Sequence, residues 1–194
     1  MKIYTKTGDD GNTGLQGGRR ISKSHPRIAS YGAVDEANAA LGIALSSWHD
    51  CPEEITSVLV AIQRDLFVVG ADLSNPDLQD LCNRVTPGMA KSLERTIDRF
   101  DSKLPALSSF VLPSGGSAAS HLHHVRAVVR RAESLAVKLS ETDEINLHCI
   151  IYLNRLSDLL FVLARTASRQ DGHGDVLWRP NEPTKPDTDR SSGP

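Results

Sequence analysis

Cysteine is scarce in this 194-residue chain, and its three copies lie far apart. Cys51, Cys82 and Cys149 form no Cys-x-x-Cys pair, which excludes a zinc knuckle and a disulfide framework. Reduced thiols in a cytoplasmic setting fit best. Aromatics make up only 5% of the residues, and the Gly/aromatic motifs that stack RNA bases are missing. The net charge is −2 and the pI is ≈ 6.4, so neither nucleic acid nor a membrane surface is indicated as a partner. No apolar run approaches the ~18 residues of a membrane span. The start, Met1-Lys2-Ile3-Tyr4, has no apolar h-region and no Arg-rich presequence character. The expected home is the cytoplasm of a microbe, with an organellar form that has lost its presequence as the alternative.

Polar chemistry is instead concentrated at the start. Thr5-Lys6-Thr7-Gly8-Asp9-Asp10-Gly11-Asn12-Thr13-Gly14 packs three glycines, three threonines, two aspartates, a lysine and an asparagine into ten residues. Glycine lets backbone approach a ligand, and threonine hydroxyls and backbone N–H groups hold phosphate oxygens. Asp9 or Asp10 can orient a phosphate-bound metal. The stretch reads as a polyphosphate-binding loop. It is not a Walker loop or a dinucleotide fingerprint, because Gly-x-x-x-x-Gly-Lys-Ser/Thr and a βαβ unit are both missing.

Residues 1–24 read as loop, with one short extended piece at 2–5. Helical periodicity then predicts helices over about 26–48, from Pro52 to Asn75-Pro76, over 87–102, 117–140 and 143–170. Thr86-Pro87 reads as an N-cap and first helical position, whereas neither Thr142 nor Asp143 completes a capping box. Residues 105–116 form a loop with an apolar centre, Phe110-Val111-Leu112. The class is all-α, an antiparallel helix bundle without strand pattern. The bundle with its opening loop takes residues 1–178, and the proline-rich tail, 179–194, is expected to be disordered.

On the fourth predicted helix, Arg126, Arg130 and Glu133 follow i, i+4, i+7 spacing and share a face, with Arg131 beside them. Guanidiniums there suit a phosphate; the plainer reading is a solvated face. Asp35, beside Glu36 on the first helix, lies near the apolar side and takes a fourth-helix arginine as its expected partner, unless it is simply exposed. Asn154 can bond a ribose, a phosphate or a neighbouring helix, and Asp158 more simply pairs with an arginine. Lys23 can neutralise phosphate or remain solvated. His121, His123 and His124 lack the i, i+4 spacing of a helical metal pair, so surface or packing roles are expected. The cysteines show no base partner in sequence.

Taken together, Tyr4 through Thr13, Gly17-Gly18-Arg19, Lys23, Tyr31 through Glu36, Phe110 through Gly116, Arg126 through Glu133 and Tyr152 through Asp158 resemble the PduO-type corrinoid adenosyltransferases in order and spacing. The resemblance spans residues 3–178. It implies a homotrimer of ferritin-like five-helix bundles with active sites between subunits. The implied activity is transfer of the adenosyl group of ATP to cobalt(I) of a reduced corrinoid such as cobalamin, releasing triphosphate, with Mg²⁺ on the phosphates. Carried over, Thr5, Lys6, Thr7, Gly8, Asn12, Thr13 and Lys23 hold ATP. Arg130, Arg131 and Glu133 act on the triphosphate and its metal, and Asn154 also contacts ATP. Asp35 and Arg126 form an intersubunit ion pair beside the corrinoid, and Phe110 occupies the lower cobalt face. Partners implied are a flavoprotein or other cobalt reductase and an adenosylcobalamin-dependent acceptor enzyme. Many members continue Arg-Arg-Ala-Glu with Arg, whereas this chain has Ser134. A kinase on a helical scaffold and a non-catalytic corrinoid carrier are the competing readings. The first releases ADP and the second consumes no ATP.

Overall fold

The computed structural model describes residues 2–180. A short hairpin, β1 (Asn12–Gly14) and β2 (Arg20–Ser22), precedes five helices: α1 (Pro26–Ser47), α2 (Glu53–Ser74), α3 (Pro87–Asp101), α4 (Gly116–Ser140) and α5 (His148–Gln170). Local chemistry explains the starts. His25 Nδ1 accepts the N–H of Arg27 at 3.1 Å, and Pro26 takes a position that needs no donor. Pro52 stands just outside α2, whose first turn carries Glu53 and Glu54 at the positive end of the helix dipole. Thr86 sits at the N-cap of α3, but its hydroxyl makes no capping bond.

α1 packs on α4 and α2, α4 packs on α5, and α3 leans on α5. The shared core includes Val34 and Leu41, Leu59 and Leu66, Leu122 and Val129, and Leu153, Leu156 and Leu160, all essentially inaccessible. Alanines recur on the buried faces of α1 (Ala33, Ala37, Ala40, Ala44) and α4 (Ala118, Ala119, Ala132, Ala136), which suits close helix approach. No described helix is long and apolar enough to cross a membrane.

Two expectations need correction. The extended structure lies at 12–14 and 20–22, not at 2–5, and it pairs antiparallel with Thr13 opposite Ile21. Ile21 and Leu15 are the hairpin's buried apolar side chains. The last helix begins at His148, not 143, because the intervening polar residues have tertiary partners. Asp143 accepts from Arg27 at 3.1 Å, and Asn146 Nδ2 donates to Asp72 at 2.7 Å while its Oδ1 accepts the N–H of His148. The expectation of a disordered tail lies, beyond residue 180, outside the described residues.

Asp72, on the inner face of α2, governs that junction. Its carboxylate accepts from the Arg84 guanidinium, from the Val85 N–H at 2.7 Å and from Asn146 Nδ2 at 2.7 Å. Asn146 also donates to the Val85 carbonyl at 2.9 Å. One buried charge thus joins the end of α2, the approach to α3 and the start of α5. Asp72→Ala should cost about 3 kcal/mol in urea unfolding, since it strands a largely buried guanidinium and an N–H. A loss below about 1 kcal/mol would mean that Arg84 finds another acceptor.

Candidate functional site

Arg130, Arg131, Glu133, Ser134, Val137 and Asn154 line an open cleft of ≈ 540 Å³ between α4 and α5. Positions 130, 133, 134 and 137 repeat every three or four residues, so one face of α4 supplies the wall. Asn154 reaches over from α5 and donates to Glu133 Oε1 at 3.0 Å. Arg131 is ion-paired with Glu36 of α1. No ion pair among the described residues neutralises Arg130. The Ser134 hydroxyl turns back to the Arg130 carbonyl at 3.1 Å. Two guanidiniums and a carboxylate open to solvent suit a polyanion carrying a hard cation.

The opening segment forms a second unit. The Thr5 and Thr7 hydroxyls lie 2.8 Å apart, and Lys23 Nζ donates to the Gly8 carbonyl at 2.7 Å. Lys23 lies so close over Gly8 that a Cβ there would come within 3.1 Å of its Nζ. Lys6 sits over the Tyr4 ring with a positive φ of 60°. Asn12 donates twice to Asp10, and Arg20 donates to the Thr7 carbonyl at 2.6 Å and to Asp10 at 3.2 Å. The Asn12 backbone N–H, then its side chain, then Arg20, hold the Asp10 carboxyl below its usual range. Thr5, Lys6, Thr7, Gly8, Asn12, Thr13 and Lys23 therefore share one turn-and-hairpin unit. Arg20, which sequence reasoning passed over, ties it together.

This unit rests on the opposite pair of helices. Gln16 reaches Ser74 of α2 at 3.4 Å, and Gly14, Leu15 and Gln16 wall a groove of ≈ 470 Å³ with Tyr31, Asp35, Leu66 and Phe67. Among the described residues no hydrogen bond or ion pair joins it to Arg130, Arg131, Glu133 or Asn154.

Asp35 is exposed in that α1–α2 groove, so the expected pairing with a fourth-helix arginine is corrected within the chain. The α1–α4 ion pair is Glu36–Arg131. A helix turns about 100° per residue, so Glu36 faces α4 where Asp35 faces α2. Arg126 is half-buried a turn before the cleft. Its Nε has no partner among the described residues. Burial, then Arg130, push its pKa down. Asp158 does pair with an arginine, Arg155, at 3.2 Å. Phe110 sits on the loop before α4, is 78% exposed as a residue and meets Trp178 edge-on at 6.3 Å. Arg165, Asp175 and Trp178, which support that loop, were not anticipated. The available signal was Arg165 itself, a charge on the apolar stripe of α5.

A family model described as cobalamin adenosyltransferase matches residues 3–167. A corrinoid adenosyltransferase of Mycobacterium tuberculosis (strain ATCC 25618 / H37Rv) is 46% identical over 184 residues, covering 92% of this chain and 93% of that one. One from Bacillus subtilis (strain 168) is 42% identical over 181 residues, covering 92% of each. A variant PduO-type ATP:corrinoid adenosyltransferase from Lactobacillus reuteri, complexed with cobalamin and ATP, superposes with a TM-score of 0.88 at 37% identity. That match covers 92% of this chain and 97% of the other.

The three histidines of α4 sit in different surroundings. His121 bonds Ser47 at 3.0 Å, His124 is exposed, and His123 is buried against Phe161 with its Nδ1 unpartnered among the described residues. Burial, and then Arg126, lower the His123 pKa from 6.5 to about 4, while Asp175 pulls the other way. The neutral ring is thus the folded form, and the unfolded chain takes up the proton first. Its contribution to stability is complete above pH 6.5, falls as pH drops toward about 4 and is flat below. Urea unfolding of wild type and His123→Leu across this range should show a steeper acid loss in the wild type. Equal slopes would assign the loss to other groups.

Proposed function

The chain belongs to the cobalamin adenosyltransferase family, and from that premise we propose that it transfers the 5′-deoxyadenosyl group of ATP to cobalt(I) of a reduced corrinoid. The observation that carries this reading is the cleft where Arg130, Arg131, Glu133 and Asn154 converge, with Arg130 left unneutralised among the described residues. Cobalt(I) supplies the electron pair for the new cobalt–carbon bond. The ribose C5′–O bond breaks, and triphosphate departs with its bonding electrons. Such a reaction needs no Ser, Cys or general base from the protein. It needs the 5′ carbon held in line with the metal and the growing charge on the leaving group met by fixed cations. Arg130 and Arg131 suit the second task. Glu133, an oxygen donor steadied by Asn154, suits a phosphate-bound Mg²⁺, which would neutralise charge on the triphosphate.

The opening unit is the natural cradle for the rest of ATP, through Thr5, Lys6, Thr7, Gly8, Asn12, Thr13 and Lys23. It lies against α1 and α2, away from the α4–α5 cleft, so one chain offers two half-sites. A second copy would bring the halves together, which supports a homotrimer with sites between subunits. Asp35, exposed on one half, and Arg126, partly bare on α4, are then free to pair across the same interface beside the corrinoid. Phe110 serves as the apolar wedge under cobalt. Excluding the lower ligand favours the four-coordinate form and makes cobalt(II) easier to reduce.

Anaerobic incubation with cob(I)alamin and Mg-ATP tests the whole reading. Adenosylcobalamin and triphosphate should accumulate together; ADP would mark a kinase, and corrinoid binding without ATP consumption a carrier. Arg130→Ala should lower kcat/KM by about 10²–10³-fold, and a near-normal value would remove Arg130 from the site. With cobalt(II) corrinoid and a reductant, Phe110→Ala should keep its ATP affinity but lose turnover by at least about tenfold. Unchanged turnover would end the wedge role.

A further inference from the structure

The loop that carries Phe110 is fastened at three places by the end of α5 and the segment that follows. At its start, Arg165 donates to the Pro105 carbonyl at 2.7 Å. The Arg165 side chain is 1% exposed, and its Nε and Nη2 grip the Asp175 carboxylate at 3.1 and 2.9 Å. In the middle, residues 176–178 run antiparallel to the loop. The Trp178 N–H donates to the Phe110 carbonyl at 2.7 Å, and the Leu112 N–H donates to the Val176 carbonyl at 2.8 Å. The Ser109 hydroxyl donates to the Trp178 carbonyl at 2.8 Å. At its end, Gly115 and Gly116 take φ of 109° and 87° against α5's last turn. A Cβ on Gly115 would lie 2.1 Å from Ser168 Oγ, and one on Gly116 2.5 Å from Asp171 Oδ2.

Backbone this firmly held would ordinarily serve a buried side chain. Here the ring is offered outward, with Trp178, itself 46% exposed, flanking it. Two bridged segments of this length do not stay paired in water unaided. Their anchors on α5 are Ser168, whose carbonyl accepts the N–H groups of His173 and Gly174 at 3.0 and 3.2 Å, and the Arg165–Asp175 contact, which holds the residue just before 176–178. We propose that Arg165, acting through Asp175, is a positioning residue for Phe110, and that Trp178 is the wall that fixes which way the Phe110 ring stands. The inference rests on the reading of Phe110 as the wedge beneath cobalt. A ring that must exclude a ligand from one coordination position has to be preorganised, because freedom of an exposed loop would be lost on every binding event.

The test compares Asp175→Ala, Trp178→Ala, Trp178→Phe and Phe110→Ala in the full chain with cob(II)alamin and ATP. The readouts are ATP affinity, thermal midpoint and the four-coordinate cobalt(II) fraction by electron paramagnetic resonance. Asp175→Ala and Trp178→Ala should lower that fraction about tenfold, with ATP affinity within about twofold and Trp178→Phe close to wild type. Trp178 is half exposed, so its variant decides the matter should Asp175→Ala fail to fold. If Phe110→Ala loses the four-coordinate form while folded Trp178→Ala and Asp175→Ala keep it, the positioning role is overturned and the wedge stands. If Phe110→Ala keeps it, the wedge falls, and the positioning role with it.

Discussion

A guanidinium stays protonated at any accessible pH, so burying one obliges the fold to bring oxygen to its N–H groups. This chain uses that obligation to place three of the connections between its helices and the segment after α5. Arg27, 2% exposed, donates to the Leu73 carbonyl at 2.8 Å, to Asp143 at 3.1 Å and to the Glu144 carbonyl at 3.3 Å. It thereby ties the start of α1 to the end of α2 and to the α4–α5 link. Arg84 does the same for the approach to α3 through Asp72. Arg165 does it for the Phe110 loop and the segment after α5. Apolar packing holds the helices side by side but leaves the connections undirected. The buried arginines supply direction, because each fails energetically unless particular carbonyls and carboxylates arrive.

The same residue type does the opposite job on α4. Arg130 is exposed, and no acceptor among the described residues neutralises it. A solvated arginine adds little stability through any surface pairing, so its value lies in what it can meet from outside. Arg131 is an intermediate case. Its partner Glu36 is exposed, and such a pair is weak enough to be exchanged for a phosphate. Arginines that are buried and paired build the scaffold, while those exposed at the α4–α5 cleft are the ones left to meet a ligand.

The sequence carried these two groups unequally. The α4 face was legible because Arg126, Arg130 and Glu133 repeat with the helix and need no partner to be recognised. The helices themselves followed from periodicity and from Pro26, Pro52 and Pro87. The start of α5 was not legible, since Asp143 and Asn146 resemble local capping residues while their partners, Arg27 and Asp72, lie some seventy or more positions away. The hairpin escaped for another reason: each strand has three residues, and only Ile21 within them is buried, with Leu15 in the turn beside them, too little for a period to register. Which of two adjacent acids faces α4 within one chain was also not legible; it is Glu36, which pairs with Arg131. Whether Asp35 or Glu36 faces α4 depends on the rotation of α1 in the bundle, which packing against α2 sets.

Ser134 shows how the cleft's chemistry follows from one side chain. Where the family resemblance leads one to expect arginine, position 134 carries a hydroxyl turned back to its own helix, so Arg130 and Arg131 are the cations among the residues lining that wall. Lost cationic charge would be felt most where the triphosphate is held, and it would be felt in ground state and transition state alike if the missing contact gripped a phosphate that gains no charge. Such uniform binding changes substrate affinity more than the rate of the chemical step. On the proposed reaction Arg130 differs, because no ion pair among the described residues neutralises it and the leaving group's new charge would have to be met by some fixed cation. On the proposed reaction, serine at 134 and arginine at 130 are therefore consistent with each other: the first would cost affinity, while the second would serve the chemical step.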